Sequence, residues 1–260
     1  ANRGTRELRQ EIATHVTRYG QTYDPTEEIL VTAGASEAID AAFRALVDPG
    51  DTVAIAEPTY VSYEPGVRFA GGDPLSVSTR AEDNFKLTPE VLAAHDAGEA
   101  DLLIYCYPNN PTGATMNQTE MEAVATFCKD NDIGVLADEI YAALTYGSEH
   151  ASIATVDGMR ERTVVFNGFS KAYAMTGLRL GYAMGPPGAI KAMNRVHQYT
   201  MLSAPTTAQY AAVEALRSCG EEVAEMKGHY NRRRNFVLSR FNEMGIDCFE
   251  ATGAFYVFPE

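Results

Sequence analysis

At 260 residues the chain can bury a substantial core, as one large domain or one and a half. Its composition, 45% hydrophobic and 22% charged, is ordinary for a globular protein, and no apolar run approaches the roughly 20 residues of a membrane helix. A formal net charge of −14 argues against nucleic acid or anionic membrane as partner, and four cysteines with no CxxC pair read as reduced thiols and give no metal site.

Apolar β-branched runs alternate with amphipathic stretches along the chain, which predicts an α/β fold: a mostly parallel sheet sandwiched by helices. Leu8, Ile12, Val16 and Tyr19 recur at helical spacing and open the chain with a helix. A strand follows over Glu28 to Thr32, then a helix from near Ser36 marked by Ile39, Ala42, Phe43 and Leu46. Thr52 to Ala56, Asp101 to Tyr107, Ile133 to Asp138, Thr163 to Asn167 and Leu180 to Met184 read as further strands, with a helix over Gln118 to Asn131. From Gly188 the chain is mostly helical, and Glu221 to Met244 reads as one long helix leading away from the core. Ile246 to Phe258 then alternates like the start of a second, smaller sheet, so residues 1–218 are expected as a large domain and 219–260 as a connecting helix with part of a small α/β domain.

The run FNGFSKAYAMTGLRLGY, Phe166 to Tyr182, is the most informative stretch. An apolar strand delivers Lys171 into a Gly- and Ser-lined turn, and Arg179 follows eight residues later. A partly desolvated lysine there can attack an aldehyde to give a Schiff base, while the arginine fork suits a phosphate. Pyridoxal 5′-phosphate (PLP) carries both groups. Gly34-Ala35-Ser36 ends a strand and starts a helix whose free N–H groups could receive that phosphate, although a plain serine cap explains it as well. Asp138 ends an apolar strand at the edge where open α/β sheets bind ligands; a carboxylate there suits a protonated ring nitrogen, or else caps a helix. Asn110 lies in a Pro/Gly turn, Tyr107 to Gly113, that turn chemistry alone accounts for.

VTAGASEAID (Val31 to Asp40), EPTY (Glu57 to Tyr60), YPNNPTG (Tyr107 to Gly113), LADEIY (Leu136 to Tyr141) and the lysine run, in this order, resemble the large-domain core of the class I/II aminotransferases, fold-type I PLP enzymes, and most closely their aspartate and aromatic subgroup. The resemblance runs from about Gly4 onward and implies a seven-stranded-type sheet, PLP as cofactor, and amino acid and 2-oxo acid substrates. By this resemblance Lys171, Asp138 and Tyr141 are catalytic, and Gly34, Ala35, Ser36, Tyr60, Asn110, Asp138, Tyr141, Ser170, Lys171 and Arg179 hold the cofactor. Asp138 then faces the pyridinium nitrogen, Tyr141 and Asn110 the phenolic oxygen, and Tyr60 stacks on the ring. The family often holds the bonds matching Glu57-Pro58 and Asn110-Pro111 in the cis form, and it often places Ser or Thr where Gly168 stands here. None of His15, His95, His150, His197 and His229 matches a catalytic position, so each reads as a surface or packing residue.

The implied function is amino-group transfer through a lysine Schiff base. A PLP-dependent C–S β-lyase on the same scaffold, or a non-catalytic PLP-binding sensor, is the alternative. The family builds its site at a homodimer interface with a partner tyrosine, and clamps the substrate carboxylate with an arginine; neither position falls within these residues, so a longer polypeptide is expected. With no signal-peptide pattern at its start, the chain is expected in the cytoplasm.

Overall fold

Strands that are buried on both sides along nearly their whole length require both faces of the sheet to be covered, and the central strands meet that condition. The computed structural model describes residues 2–259. Strands β1 (Ile29–Thr32), β2 (Thr52–Glu57), β3 (Asp73–Ser78), β4 (Leu102–Cys106), β5 (Gly134–Asp138), β6 (Thr163–Gly168) and β7 (Gly181–Met184) form one seven-stranded sheet in the order β1-β7-β6-β5-β4-β2-β3. Strand β7 is antiparallel to both β1 and β6, and every other pairing is parallel. The carboxyl ends of β1, β4, β5 and β6 therefore share one edge. The mostly parallel sheet read from the sequence is the one observed.

Side-chain alternation sorts the core into two layers. Val135 and Ala137 of β5 join α1 (Arg6–Val16), α5 (Gln118–Asp130) and α8 (Thr206–Ser218) on one face. Leu136 joins α2 (Ala35–Leu46), α3 (Tyr63–Ala70) and α7 (Pro187–Thr200) on the other. Asp138 shares the parity of Leu136, so it points to the side of α2 and α3. The remaining α-helices are α4 (Pro89–Ala94), the short α6 (Phe169–Ala172) that carries Lys171, and the long α9 (Gly220–Met244). Among the described residues α9 buries no side chain, in keeping with a helix that leaves the core.

Three sequence expectations change. Strand β3 was not foreseen: it is an edge strand with Pro74 and a largely exposed pattern, so it lacks the apolar signature of the centre. The serine expected to open α2 sits one residue inside it, with Gly34 at the cap. The alternating stretch Ile246 to Phe258 forms no strand; its backbone reaches loops instead, with Thr252 N and Gly253 N donating to Gly113 O at 3.0 and 2.8 Å and Tyr146 N donating to Thr252 O at 2.8 Å. Only isolated bridges, Thr145 to Gly253 and Cys248 to Pro259, remain of a sheet there. The peptide bonds Glu57-Pro58 and Asn110-Pro111 are cis, as is Tyr107-Pro108.

Candidate active site

Five chain segments meet at the carboxyl edge of the sheet and line a cavity of about 260 Å3. Ala35, Ser36, Tyr60, Asn110, Asp138, Tyr141, Ser170, Lys171 and Arg179 all line it, joined by Ile39, Tyr63, Cys106 and Ile140. Gly34 is buried behind the wall, at φ +89°, a region open to glycine, and a Cβ there would stand 2.7 Å from Nη2 of Arg179. The guanidinium thus lies against the turn between β1 and α2, and the free N–H groups that begin α2 sit beside it. Arg179 itself is exposed and donates from Nη1 to Thr176 O at 3.0 Å.

Strand β7 passes directly behind the same turn. A Cβ on Gly181 would meet Ala35 N at 2.3 Å, and one on Gly168, its partner across the β6–β7 ladder, would meet Gly181 Cα at 2.9 Å. A side chain at 168 would therefore require the β6–β7 ladder to shift.

Asp138 is buried, as is Tyr63, which donates from its hydroxyl to Asp138 Oδ2 at 2.7 Å, while Ile140 N donates to Oδ1 at 3.1 Å. Burial raises the carboxyl pKa above the usual range, against these two donors and the more distant Lys171, which lower it. Tyr63 is itself held well above an ordinary phenol by burial and by Asp138, so it remains a donor. Cys106, beside Asp138 in the neighbouring strand, is pushed up to about 12 by burial and by the carboxylate, and stays a thiol.

Lys171 Nζ lies 5.5 Å from the centroid of the Tyr141 ring and 5.2 Å from that of Phe255. The C-terminal segment closes this side: Tyr256 and Tyr141 share a hydroxyl contact of 2.5 Å, and burial followed by this contact raises the Tyr141 pKa. The cavity is walled by Tyr60, whose ring stands edge-on to Tyr63 with centroids 5.5 Å apart. Asn109, which had no role in the sequence reading, shapes the turn before Asn110 by accepting from Thr112 N at 3.1 Å and Thr112 Oγ1 at 2.8 Å.

Tyr63, Phe255, Tyr256 and Ile39 were missed by the sequence reading. Tyr63 lay six residues after Glu57 on a new helix, and its spacing gave no sign that it would return to the end of β5.

A lysine amine, a desolvated carboxylate that accepts only neutral protein donors, and an anion-receiving turn with an arginine together define a Schiff-base site for a phosphorylated cofactor with a protonatable ring nitrogen. The donor set fits PLP: the buried Asp138 calls for a cation, and the glycines at 34 and 181 leave the turn open at backbone level. Residues 1–260 match the family model described as aminotransferase class I and II, and the chain belongs to that family of PLP-dependent enzymes. It is 47% identical over 260 residues to the "Putative aminotransferase YugH" of Bacillus subtilis (strain 168), covering 100% of this chain and 67% of that protein. It is 40% identical over 262 residues to an aspartate aminotransferase of Pyrococcus abyssi (strain GE5 / Orsay), covering 99% and 67%. The crystal structure of an aromatic aminotransferase from Pyrococcus horikoshii OT3 superposes with a TM-score of 0.97 at 40% identity, covering 99% of this chain and 70% of that one. The chain thus spans about two thirds of the length of these relatives.

Proposed function

We propose that the protein moves an amino group between an amino acid and a 2-oxo acid with PLP as carrier, and that its donors are of the aspartate or aromatic class. The observation that carries this reading is the convergence of Lys171, the buried Asp138 and Arg179 on one cavity. The names of the relatives favour amino-group transfer over the elimination that the sequence left open.

When bound, PLP supplies an aldehyde for the lysine and an electron-withdrawing ring. The α2 amides and Arg179 would hold its phosphate, and Asp138 would hold a proton on its ring nitrogen, which a desolvated carboxylate favours by charge pairing. Tyr141, kept protonated, and Asn110 would present donors to the phenolic oxygen, and Tyr60 would offer its ring to one face of the cofactor. Lys171 is the amine that would hold the cofactor through its aldehyde, and as a free amine its Nζ would take the proton from the substrate Cα. The rings of Tyr141 and Phe255 lie beside this amine, at 5.5 and 5.2 Å from Nζ to the ring centroids. For the donor class, the support is the relatives' names together with the apolar wall that Ile39, Tyr60 and Ile140 add to the cavity.

A homodimer that completes the site is part of the proposal. It is supported by the exposure of large apolar side chains near Ile39 and Tyr60, Val61 at 82% and Phe69 at 75%, and in the last turn of α7, Tyr199 at 90%.

The test is a half-reaction screen. The PLP-loaded protein is mixed with single amino acids, and one equivalent of 2-oxo acid is expected from aspartate or an aromatic donor without an acceptor. Borohydride reduction and peptide mapping should place the cofactor on Lys171 alone. Release of pyruvate and ammonia from a thioether substrate, with no 2-oxo acid from any amino acid, would refute the reading; a monomeric mass by light scattering would refute the dimer.

A further inference from the structure

His197, on α7, is fully buried and belongs to no part of the chemistry above. Its Nδ1 lies 2.7 Å from Glu37 Oε1 and its Nε2 lies 2.9 Å from Asn2 O. A carboxylate and a carbonyl only accept, so both ring nitrogens must carry protons and the ring is an imidazolium. Burial alone would lower the histidine pKa, but the Glu37 carboxylate and the Asn2 carbonyl outweigh it and hold it above the usual value.

Glu37 ties this pair to the phosphate-receiving turn. Its other oxygen, Oε2, accepts from Ala33 N at 2.6 Å, while Thr32 Oγ1 donates to Gly34 O at 2.9 Å, so the turn is pinned on both sides. The pin has an electrostatic drawback: it sets a carboxylate, itself only 12% exposed, one residue after Ser36 in a turn meant for an anion. Water screens such a charge poorly, and like charges placed together weaken binding.

We propose that His197 is a positioning residue for the cofactor phosphate: it neutralises Glu37, so that the carboxylate can close the Ala33–Glu37 turn without repelling the anion that the turn receives. The inference rests on the reading that this turn holds the PLP phosphate. Asn2 brings the N-terminal segment into the same arrangement, since Val31 N of β1 donates to the adjacent Arg3 O at 3.0 Å.

The test compares PLP with pyridoxal, which lacks the phosphate, as ligands of the apoprotein by equilibrium dialysis. His197→Asn keeps a neutral donor near the Nδ1 position and removes the charge; PLP affinity should fall by about tenfold while pyridoxal affinity holds. Adding Glu37→Gln should restore most of the lost PLP affinity, a rescue that a packing role cannot give. Glu37→Gln alone should retain or strengthen PLP binding. The proposal is overturned if PLP and pyridoxal affinities fall together in His197→Asn, if the double variant binds PLP no better than His197→Asn, or if Glu37→Gln selectively loses PLP. A wild-type protein that binds pyridoxal as tightly as PLP would instead sink the assignment of the turn itself.

Discussion

Tyr63→Phe removes one hydroxyl and leaves the ring that packs edge-on against Tyr60. That hydroxyl is the closer of the two donors to the Asp138 carboxylate, at 2.7 Å against 3.1 Å for Ile140 N. A hydrogen bond to a charged group contributes about 1.5–3 kcal/mol, so its loss should weaken PLP binding roughly 10- to 100-fold if the carboxylate is what holds the ring nitrogen. The sign with pH follows from the raised Asp138 pKa. The hydroxyl favours the charged form, so deleting it moves that pKa further up, and the carboxylate, present above its pKa, is lost earlier as pH falls. Titrating the apoprotein with PLP at a series of pH values should therefore show the variant losing affinity at a higher pH than the wild type. Superimposable profiles, with affinities within about twofold of each other, would refute the role given to Asp138 and Tyr63.

Three further outcomes are expected. Arg179→Ala should lower PLP affinity roughly 10- to 100-fold and spare pyridoxal, because an exposed guanidinium at the phosphate end contributes to binding and not to proton transfer. Gly181→Ala places a Cβ 2.3 Å from Ala35 N and 2.5 Å from Gly34 C, both backbone atoms, so β7 or the turn must move; thermal melts should show a loss of about 1–3 kcal/mol together with weaker PLP binding. His15, lowered to about 4 by burial and then by Arg18, stays neutral in the native state while the unfolded chain takes up a proton near pH 6.5, so stability is full above that pH and is lost as pH falls toward 4, by at most roughly 3 kcal/mol. Urea midpoints across that window should fall less steeply in His15→Gln than in the wild type.

The central strands were legible within a residue or two because they are buried on both sides, and burial on both sides leaves no polar gap in the run. The edge strand β3 was not, since one free edge and Pro74 remove that signal. The tail shows the opposite error: its residues alternate in polarity along the sequence but not in burial, with Gly253 and Ala254 buried side by side, and the backbone pairs with the Asn110 turn and with Tyr146, so periodicity without a neighbouring strand gave a false sheet. In the site, residues at the ends of strands or on the first turns after them could be placed from sequence, because their position follows from the strand itself. Tyr63, Tyr256 and the pair Glu37–His197 could not. Each reaches the site from an element 75, 115 or 160 residues away from its partner, and only tertiary packing brings the two together. His197 in particular reads as a packing histidine until both ring nitrogens are seen to face acceptors.

These placements give the cavity a direction. Arg179 and the α2 amides make the β1–α2 side of the cavity receptive to an anion, and the Asp138 carboxylate at the end of β5 makes its own side receptive to a cation, with Tyr60 and Tyr141 also in the wall. A flat molecule with a phosphate at one end and a protonatable nitrogen at the other can satisfy both ends in a single orientation, which also fixes where its aldehyde meets Lys171. The overall charge of −14 works against the anionic end, because a surplus of carboxylates raises the cost of admitting a phosphate. Local groups must outweigh that background. In this chain they do so with an exposed arginine, a helix terminus and, where a carboxylate is needed to shape the turn, a buried imidazolium set against it.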